Sequence, residues 1–490
     1  MQSTSNTRNP LDLTGDDFSA MMAEIVPELS AFLDRLPGSG ITFPSGATRF
    51  LNQNAAVVLQ PPAEHGRSLR ELLHVIVQAA ENDINAPSGG ALAFIPGSGL
   101  VSSAAADLIA GIFNRYTAFS VVSPAMVALE AEVLRWLASL MGLPKTSGGL
   151  LTSGASMAVF SAVVCARNRL PENFQNGVVY TTDQTHHCLS KALRLAGFPS
   201  SALRLVPADD GWRMNVRALR VMIAEDRAVG YIPLCIAANA GTTNTGTIDP
   251  LKELAAVARE EHLWFHVDAA YGGFFQLTDR GRKRLSGIEQ ADSIVVDFHK
   301  GLFLPFGTGC LLVRDREILH RAHSGDDASY LRDLQGHNSN DVHLPDFGET
   351  SPELTRPNRG LRVWLPLHLH GVAAFRKALD EKLDFAEHVY HALRKMPQIQ
   401  VLAEPELSIV AFYCRDANGS QAEEDIATDE LVRYVNRAGR VHLATTRIQE
   451  KTVARIAILN VRTTAAIIAD TLSMISMYIE EKRAAHAALT

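Results

Sequence analysis

The stretch Asp292-Ser-Ile-Val-Val-Asp-Phe-His-Lys300 decides the fold prediction. Its apolar centre, residues 294–296, predicts a buried strand that ends at three polar side chains, Asp297, His299 and Lys300. In open α/β sheets, ligands bind just beyond the carboxyl ends of the strands. A lysine delivered there beside an imidazole and a carboxylate suits a Schiff base with an aldehyde cofactor such as pyridoxal phosphate (PLP). The alternative is a surface lysine at the end of an ordinary strand. The residues at the ends of the other predicted strands are needed to distinguish these two interpretations.

The chain alternates strand-like and helix-like segments from about residue 150 to 315. Helical stretches such as 157–168 and 250–261 separate short apolar runs that are rich in β-branched residues. The runs are residues 178–180, 231–237, 263–267, 294–296 and 310–313. This alternation predicts a mostly parallel sheet with helices on both faces, which defines the α/β class.

Three regions follow from the pattern along the whole chain. We expect a helical N-terminal segment over residues 1–98, a large α/β domain over 99–375 and a small C-terminal α+β domain over 376–490. Apolar residues recur at helical spacing in the first region, and short strands alternate with amphipathic helices in the last. The apolar faces of the N-terminal helices are expected to bury against the core or to embrace a partner subunit.

Composition excludes several classes of protein. The 490 residues are 47% hydrophobic and 20% charged, with a formal net charge of -7 and no basic run, which argues against nucleic-acid binding. The five cysteines are scattered without a CxxC pair, so we expect neither a metal site nor a disulfide framework. The N-terminus lacks an apolar signal region, and no run reaches the roughly 18 apolar residues of a membrane span. We therefore expect a cytoplasmic protein without a membrane partner.

The stretch Leu151-Thr-Ser-Gly-Ala-Ser-Met-Ala158 leads directly into an apolar helix. Small residues let the backbone approach an anion, and the free amides of a helix N-terminus bind phosphate. Serine, glycine and alanine are also common at ordinary helix starts, so this motif alone is a weak indication.

The stretch Leu263-Trp-Phe-His-Val-Asp-Ala-Ala-Tyr-Gly-Gly273 predicts a strand with Asp268 at its end. A carboxylate there could keep a pyridine nitrogen protonated, which makes the ring an electron sink. Ala270 is small enough for a flat ring to lie against it. The alternative is an aspartate that caps the next helix.

Two further strand ends carry polar groups. His186 ends the stretch Thr181-Thr-Asp-Gln-Thr-His186, where its imidazole could stack on a cofactor ring, although a lone histidine is more often structural. The stretch Asn239-Ala-Gly-Thr-Thr-Asn-Thr-Gly246 follows another predicted strand. Four strand ends thus each supply a group that a PLP site needs, and this convergence is more specific than any single motif.

Together these motifs resemble the group II PLP-dependent decarboxylases, the family of aromatic amino acid, histidine and glutamate decarboxylases. The resemblance runs from about residue 70 to at least 375. The motifs that carry it are Thr152-Ser-Gly-Ala-Ser156, Asp183-Gln-Thr-His186, Gly241-Thr-Thr243, His266-Val-Asp-Ala-Ala-Tyr271 and Asp297-Phe-His-Lys300. The resemblance implies the type I PLP fold, an obligate homodimer and active sites at the subunit interface.

The resemblance also implies a role for each residue around the cofactor ring. Lys300 would bind PLP covalently, and Asp268 would pair with the pyridinium nitrogen. His186 would stack on one face of the ring, and Ala270 would pack on the other.

The phosphate would be held by the amides of Ala155 and Ser156 together with His299. Asp297 corresponds to a family position near that phosphate. Thr243 matches a threonine near the substrate and the ring oxygen of the cofactor.

Residues of about 325–350 resemble the catalytic loop of the family. Tyr330, in Ala328-Ser-Tyr-Leu331, matches a loop tyrosine that protonates the substrate carbon after carbon dioxide leaves. A phenol can donate that proton and a phenyl ring cannot. Because relatives with phenylalanine there tend to be aldehyde synthases, Tyr330 favours simple decarboxylation to the amine.

The substrate pocket departs from that of aromatic amino acid decarboxylases. Phe94, Ile95 and Phe119 match pocket positions, whereas Ala86 stands where those enzymes have tryptophan. A separate departure is Phe298, which precedes the His-Lys pair where family members often have proline. We therefore expect an L-amino acid with an aromatic or bulky apolar side chain.

Two alternatives stay open from the sequence. The chain could be another type I PLP enzyme, such as an aldehyde synthase, an aminotransferase, a desulfurase or a carbon–carbon lyase. It could also be a catalytically silent homologue that serves as a binding partner, although such a protein would be expected to lack the lysine, the aspartate or the loop tyrosine.

Overall fold

The computed structural model describes residues 9, 11–41, 47–325, 344–416 and 419–487. Its main feature is a seven-stranded sheet with strand order β1-β7-β6-β5-β4-β2-β3. The strands are β1 Gly148–Thr152, β2 Gly177–Thr181, β3 Leu203–Leu205, β4 Ile232–Asn239, β5 Trp264–Asp268, β6 Ser293–Asp297 and β7 Gly309–Val313.

Strand directions confirm the predicted, mostly parallel sheet. β3, β2, β4, β5 and β6 pair in parallel, so their carboxyl ends share one edge. β7 is the predicted run 310–313, but it pairs antiparallel with both β6 and β1. The sequence did not predict β1, which opens with two glycines, or β3, which is only three residues long at the sheet edge.

Helices cover both faces of this sheet, and alternate strand residues bury against each face. Phe265 and Ile294 belong to the core cluster shared with helices 124–140, 216–228 and 251–260. On the opposite face, Trp264 and Val295 pack with helices 155–167 and 188–195. Both faces are therefore dry, and only the strand ends are open to a ligand.

The helices of the described residues have the following bounds. They are α1 Gly15–Arg35, α2 Ala47–Gln53, α3 Ala55–Val58, α4 Leu69–Asn82, α5 Val101–Phe113, α6 Pro124–Leu140, α7 Ala155–Arg167, α8 Cys188–Leu195, α9 Val216–Ala228, α10 Leu251–Glu260, α11 Asp279–Arg284, α12 Phe298–Gly301, α13 Glu317–His323, α14 Phe347–Thr350, α15 Gly360–His370, α16 Val372–Leu393, α17 Gln421–Arg437 and α18 Ala465–Ala487. Short 3₁₀ turns occur at Leu36–Gly38, Phe174–Asn176, Ser200–Ala202, Gly273–Leu277 and Ile288–Gln290. None of these described helices combines the length and apolar character needed to cross a bilayer.

A second, antiparallel sheet lies in the C-terminal part of the chain, with strand order β10-β11-β9-β8. Its strands are β8 Ile399–Val401, β9 Ile409–Cys414, β10 Ala444–Ile448 and β11 Lys451–Ala457. α16, α17 and α18 bury their apolar residues against it in a separate core cluster. The predicted α+β character of this region is present, whereas the exact boundaries of the three regions stay a prediction.

Candidate active site

The strand ends of the large sheet surround a cavity of about 300 Å³. All the side chains predicted to bind the cofactor line this one cavity. They are Ala155, Ser156, His186, Thr243, Asp268, Ala270, Asp297, His299 and Lys300. Residues from five separate segments thus meet at the carboxyl edge of the sheet, where ligands of open α/β sheets bind.

Lys300 lies on α12, the short turn that follows β6. Its Nζ is 3.6 Å from Oδ2 of Asp297, the last residue of the strand. Phe303, just beyond the turn, is held in the left-handed region at φ 63° while its N–H donates to the Lys300 carbonyl at 3.2 Å. Such strain persists only where packing over-determines the backbone, as it does around this lysine. Phe298, the residue that departs from the family pattern, is a core side chain packed on Phe274 at 5.0 Å between ring centroids.

Asp297 and His299 leave buried polar atoms without a hydrogen-bond partner. Asp297 Oδ1 and His299 Nδ1 are 3.1 Å apart, but no described residue makes an aligned hydrogen bond to either atom. Asp297 is only 2% exposed, so water does not solvate its carboxylate freely. Buried polar atoms of this kind indicate a site built for a further polar group.

The amides of Ala155 and Ser156 open α7, a helix of 13 residues. Gly154 precedes them with φ 153°, a conformation that L side chains rarely adopt. The first N–H groups of a helix have no intrahelical acceptor, and the helix dipole favours an anion there. Gly309 of β7 lies so close that a Cβ there would be 2.4 Å from the Gly154 carbonyl carbon. The tight packing against β7 therefore fixes this turn, whose free amides are suited to an anion.

Asp268 ends β5 beside Ala270, and both line the cavity. The Ala270 N–H donates to Asp268 Oδ1 at 3.0 Å, so part of the carboxylate organises the turn. Asp268 does not cap the next helical element, the 3₁₀ turn Gly273–Leu277, whose N-cap is Gly272 without a side-chain hydrogen bond. No described residue donates a hydrogen bond to Oδ2, which leaves that oxygen for a ring nitrogen. Two residues earlier, burial lowers the pKa of His266 to about 4, so this imidazole stays neutral behind Asp268.

His186 is held as a neutral imidazole with a known tautomer. The Cys188 N–H donates to His186 Nδ1 at 3.3 Å, so the ring proton lies on Nε2. Burial lowers the pKa of His186 below its ordinary value, against the opposing field of Asp268 and with the help of Lys300. A neutral ring with an outward N–H can both stack and donate a hydrogen bond.

Arg455 is a residue at this site that the sequence did not single out. It lies in β11, where it is buried, and its guanidinium donates to the carbonyls of Thr243, of Asn244 at 3.0 Å and of Phe94 at 3.3 Å. Burial lowers the pKa of Arg455 to about 10, so the group remains charged at neutral pH. The available signal was a single arginine inside the apolar run 453–459. Arg455 thereby joins the turn that carries Thr243 to the loop that carries Phe94.

The predicted substrate residues do not line the 300 Å³ cavity of the single chain. Phe94 is 63% exposed, has φ 55°, and meets His442 edge-on at 5.7 Å between ring centroids. Ile95 is half-buried, and Phe119 is buried beside Tyr116 at 6.2 Å. Their role stays a prediction. Tyr330 lies outside the described residues.

Comparison with known proteins gives this arrangement a fold and a family. The architecture is that of the type I PLP-dependent enzymes. The crystal structure of Oryza sativa TDC with PLP and tryptamine superposes on this chain with a TM-score of 0.89 at 24% sequence identity. The superposition covers 97% of this chain and 100% of that one. The chain belongs to the pyridoxal-dependent decarboxylase family, whose conserved domain matches residues 90–415. It is therefore a PLP-dependent amino acid decarboxylase.

Two curated relatives have different named substrates. An aromatic-L-amino-acid decarboxylase of Bacillus atrophaeus is 36% identical over 404 residues, which cover 82% of this chain and 83% of the relative. An L-2,4-diaminobutyrate decarboxylase of Rhizobium meliloti (strain 1021) is 32% identical over 369 residues, covering 74% and 72%. The family thus accommodates both aromatic and basic amino acids on one scaffold.

Proposed function

We propose that this decarboxylase converts an L-amino acid with an aromatic or bulky apolar side chain to the amine and carbon dioxide, with Lys300 as the catalytic lysine. The observation that carries the proposal is the convergence of Lys300, Asp268 and His186 on a single cavity. The similarity to the Bacillus atrophaeus enzyme supports the aromatic substrate.

The residues of the cavity fit PLP in size and in chemistry. A volume of about 300 Å³ lies at the lower end of small-molecule sites. The unpaired amides of Ala155 and Ser156 match a phosphate, and the unbonded His299 Nδ1 and Asp297 Oδ1 lie beside them in the cavity wall. When bound, PLP supplies an aldehyde for amines and a ring that accepts an electron pair.

Each side chain of the cavity then has a separate role in the proposed reaction. Lys300 provides the amine that holds the aldehyde and later releases the product. The Asp268 carboxylate keeps a proton on the ring nitrogen. His186 would stack on one face of the ring and donate its Nε2–H to a substrate carboxylate, and Ala270, which lines the same cavity, would leave room for the other face. Tyr330 returns a proton to the substrate carbon, possessing the hydroxyl that a phenylalanine would lack.

The charge distribution supports an apolar substrate side chain. Arg455, a buried cation close to Thr243, is already engaged by three backbone carbonyls. These bonds occupy Nε and Nη2 and leave only Nη1, so the paired contact that a guanidinium makes with a carboxylate is not available for the second carboxylate of a glutamate-type substrate. The exposed Phe94 ring, on the residue whose carbonyl this arginine binds, offers an apolar surface.

A product screen tests the proposal directly. Purified protein with added PLP is incubated with each common amino acid and with L-2,4-diaminobutyrate, and amine, aldehyde, keto acid and carbon dioxide are quantified. We expect carbon dioxide and an amine from aromatic or bulky apolar substrates, with no keto acid. Turnover confined to diaminobutyrate or another charged amino acid would contradict the substrate assignment, and a keto-acid product would indicate an aminotransferase.

The active form is proposed to be a homodimer. α5 exposes Ile112 and Phe113, which are 56% and 57% accessible in the single chain, and Phe306 is exposed beside His299 at 5.4 Å between ring centroids. Exposed apolar surface of this kind indicates a protein interface.

Light scattering tests this assembly. We expect twice the chain mass of 53.2 kDa for the wild type and a shift toward the monomer for Ile112→Glu. Val221→Glu on α9 is the matched control, since Val221 is 55% exposed on a different helix. A monomeric wild-type protein would contradict the dimer.

A further inference from the structure

Asp249 is a buried carboxylate that the proposed reaction does not use. It follows the turn after β4 and is 3% exposed. Its oxygens accept three hydrogen bonds: from the Met214 N–H at 2.8 Å, the Asn239 N–H at 2.7 Å and Asn239 Nδ2 at 2.9 Å. Because a carboxylate only accepts, these contacts fix the side-chain amide of Asn239 with its nitrogen toward Asp249.

The same amide nitrogen connects Asn239 to the turn before His186. Asn239 Nδ2 donates to Thr185 Oγ1 at 2.9 Å, and the Thr185 and Thr181 hydroxyls are 2.5 Å apart. Thr181 Oγ1 donates its single proton to the Ala237 carbonyl at 2.9 Å. Thr185 must therefore be the donor to Thr181, and its own lone pair accepts from Asn239. Because each hydroxyl has a single proton, the donor and the acceptor of every hydrogen bond in this row are determined.

This row joins the ends of two strands directly beneath the cavity. Asn239 ends β4 in register with Asp268 of β5, so both side chains lie on the same face of the sheet. Thr185 immediately precedes His186 in the segment between β2 and α8. Asn239 also lines the cavity, yet it makes no contact that the proposed reaction requires.

We propose that Asn239, oriented by Asp249, is a positioning residue that fixes the His186 imidazole through Thr185. The inference rests on the proposed role of His186 at the cofactor ring. An amide suits this position because its two N–H bonds reach two acceptors at once, Asp249 and Thr185. An aspartate would put two carboxylates in contact. An alanine would remove the donor that Thr185 accepts from and would leave Asp249 with only its two backbone N–H donors.

A double-mutant cycle tests the proposal on the PLP-loaded full-length protein. Asn239→Ala, His186→Ala and the double variant are compared for kcat, for KM, and for the visible circular dichroism of the bound cofactor without substrate. We expect Asn239→Ala to lower kcat about tenfold and weaken the dichroism, with KM within about threefold. In the His186→Ala background, Asn239→Ala should change kcat by less than about twofold, because coupled residues are not additive.

Tyr180→Phe is the control for a merely structural loss. Tyr180 lies on the same strand as Thr181, but its buried hydroxyl donates to Asp226 at 2.8 Å on the other face of the sheet. The Tyr180→Phe substitution should lower the melting temperature, as Asn239→Ala does, and should leave kcat and the circular dichroism of the cofactor unchanged.

Three results would each overturn the inference, two from Asn239→Ala and one from His186→Ala. One is an equal loss of kcat from Asn239→Ala with and without His186; the other is an Asn239→Ala protein with wild-type kcat and dichroism. A His186→Ala protein with full activity also overturns it, since Asn239 would have nothing to act through. The proposed function is tested separately by the absorption of the imine between PLP and Lys300. All of these variants retain Lys300, so this absorption must be present in each of them if the proposed function is correct.

Discussion

The cofactor side and the predicted substrate side of this active site are built in different ways. The cofactor side consists of residues on or next to the ends of strands in one rigid sheet. The predicted substrate side depends on the loop 86–98, which is held by the small sheet: the Leu92 N–H donates to the His442 carbonyl at 3.1 Å, and Arg455 holds the Phe94 carbonyl. The residues proposed for chemistry thus lie within one layer, whereas the proposed substrate residues are positioned by contacts between distant parts of the chain.

The strongest test of the cofactor side is Lys300→Ala. We expect turnover to fall by at least about 10⁴-fold and the imine absorption of bound PLP to disappear, because no other amine lines the cavity among the described residues. Lys191→Ala, an exposed lysine on α8, should behave as the wild type. Multiple turnovers by the Lys300→Ala protein would remove this lysine from the mechanism.

Asp268→Ala should have the next largest effect. Without the carboxylate the ring nitrogen loses its proton, and we expect kcat to fall by about 10³-fold while the imine absorption remains. Asp210→Ala, at an exposed loop position, is the control. A loss of imine absorption together with activity would mean that Asp268 holds the cofactor rather than tuning it.

Tyr330→Phe tests a residue that lies outside the described part of the chain. Losing the hydroxyl should lower amine formation by about 10²-fold and shift the product toward the aldehyde, with cofactor binding unchanged. Amine and aldehyde are quantified from the same reaction. An unchanged amine yield would assign protonation to another group.

Phe94→Ala should have the smallest effect and would sharpen the contrast between the two sides. Its ring does not line the cavity that contains Lys300, so we expect KM for an aromatic substrate to rise about threefold to tenfold with kcat nearly constant. Leu205→Ala, 55% exposed on β3, is the control. A fall in kcat without a change in KM would show that the loop serves catalysis and not selection.

The sequence predicted that the residues of the cofactor side would meet at one edge of the sheet because each motif is contiguous. One strand ends at Asp268, and another ends at Asp297 and leads directly to Lys300. Because these strands are parallel, their ends bring the three side chains to the same edge of the sheet. The antiparallel direction of β7 was not predicted, since its run 310–313 is apolar whichever way it pairs. Arg455 was missed for a related reason: it reaches Thr243 only because two sheets pack together, and no local pattern records that contact.

Gly309 has a consequence that reaches beyond its own strand. Any side chain at this position would press on the backbone of Gly154 and on the Ala155 nitrogen, 2.7 Å from an added Cβ. A single methyl group, carried by a residue with no chemistry of its own, would therefore tilt the start of α7 away from its anion. We expect a Gly309→Ala protein to hold the phosphate of the coenzyme more weakly and to lose the coenzyme on dilution.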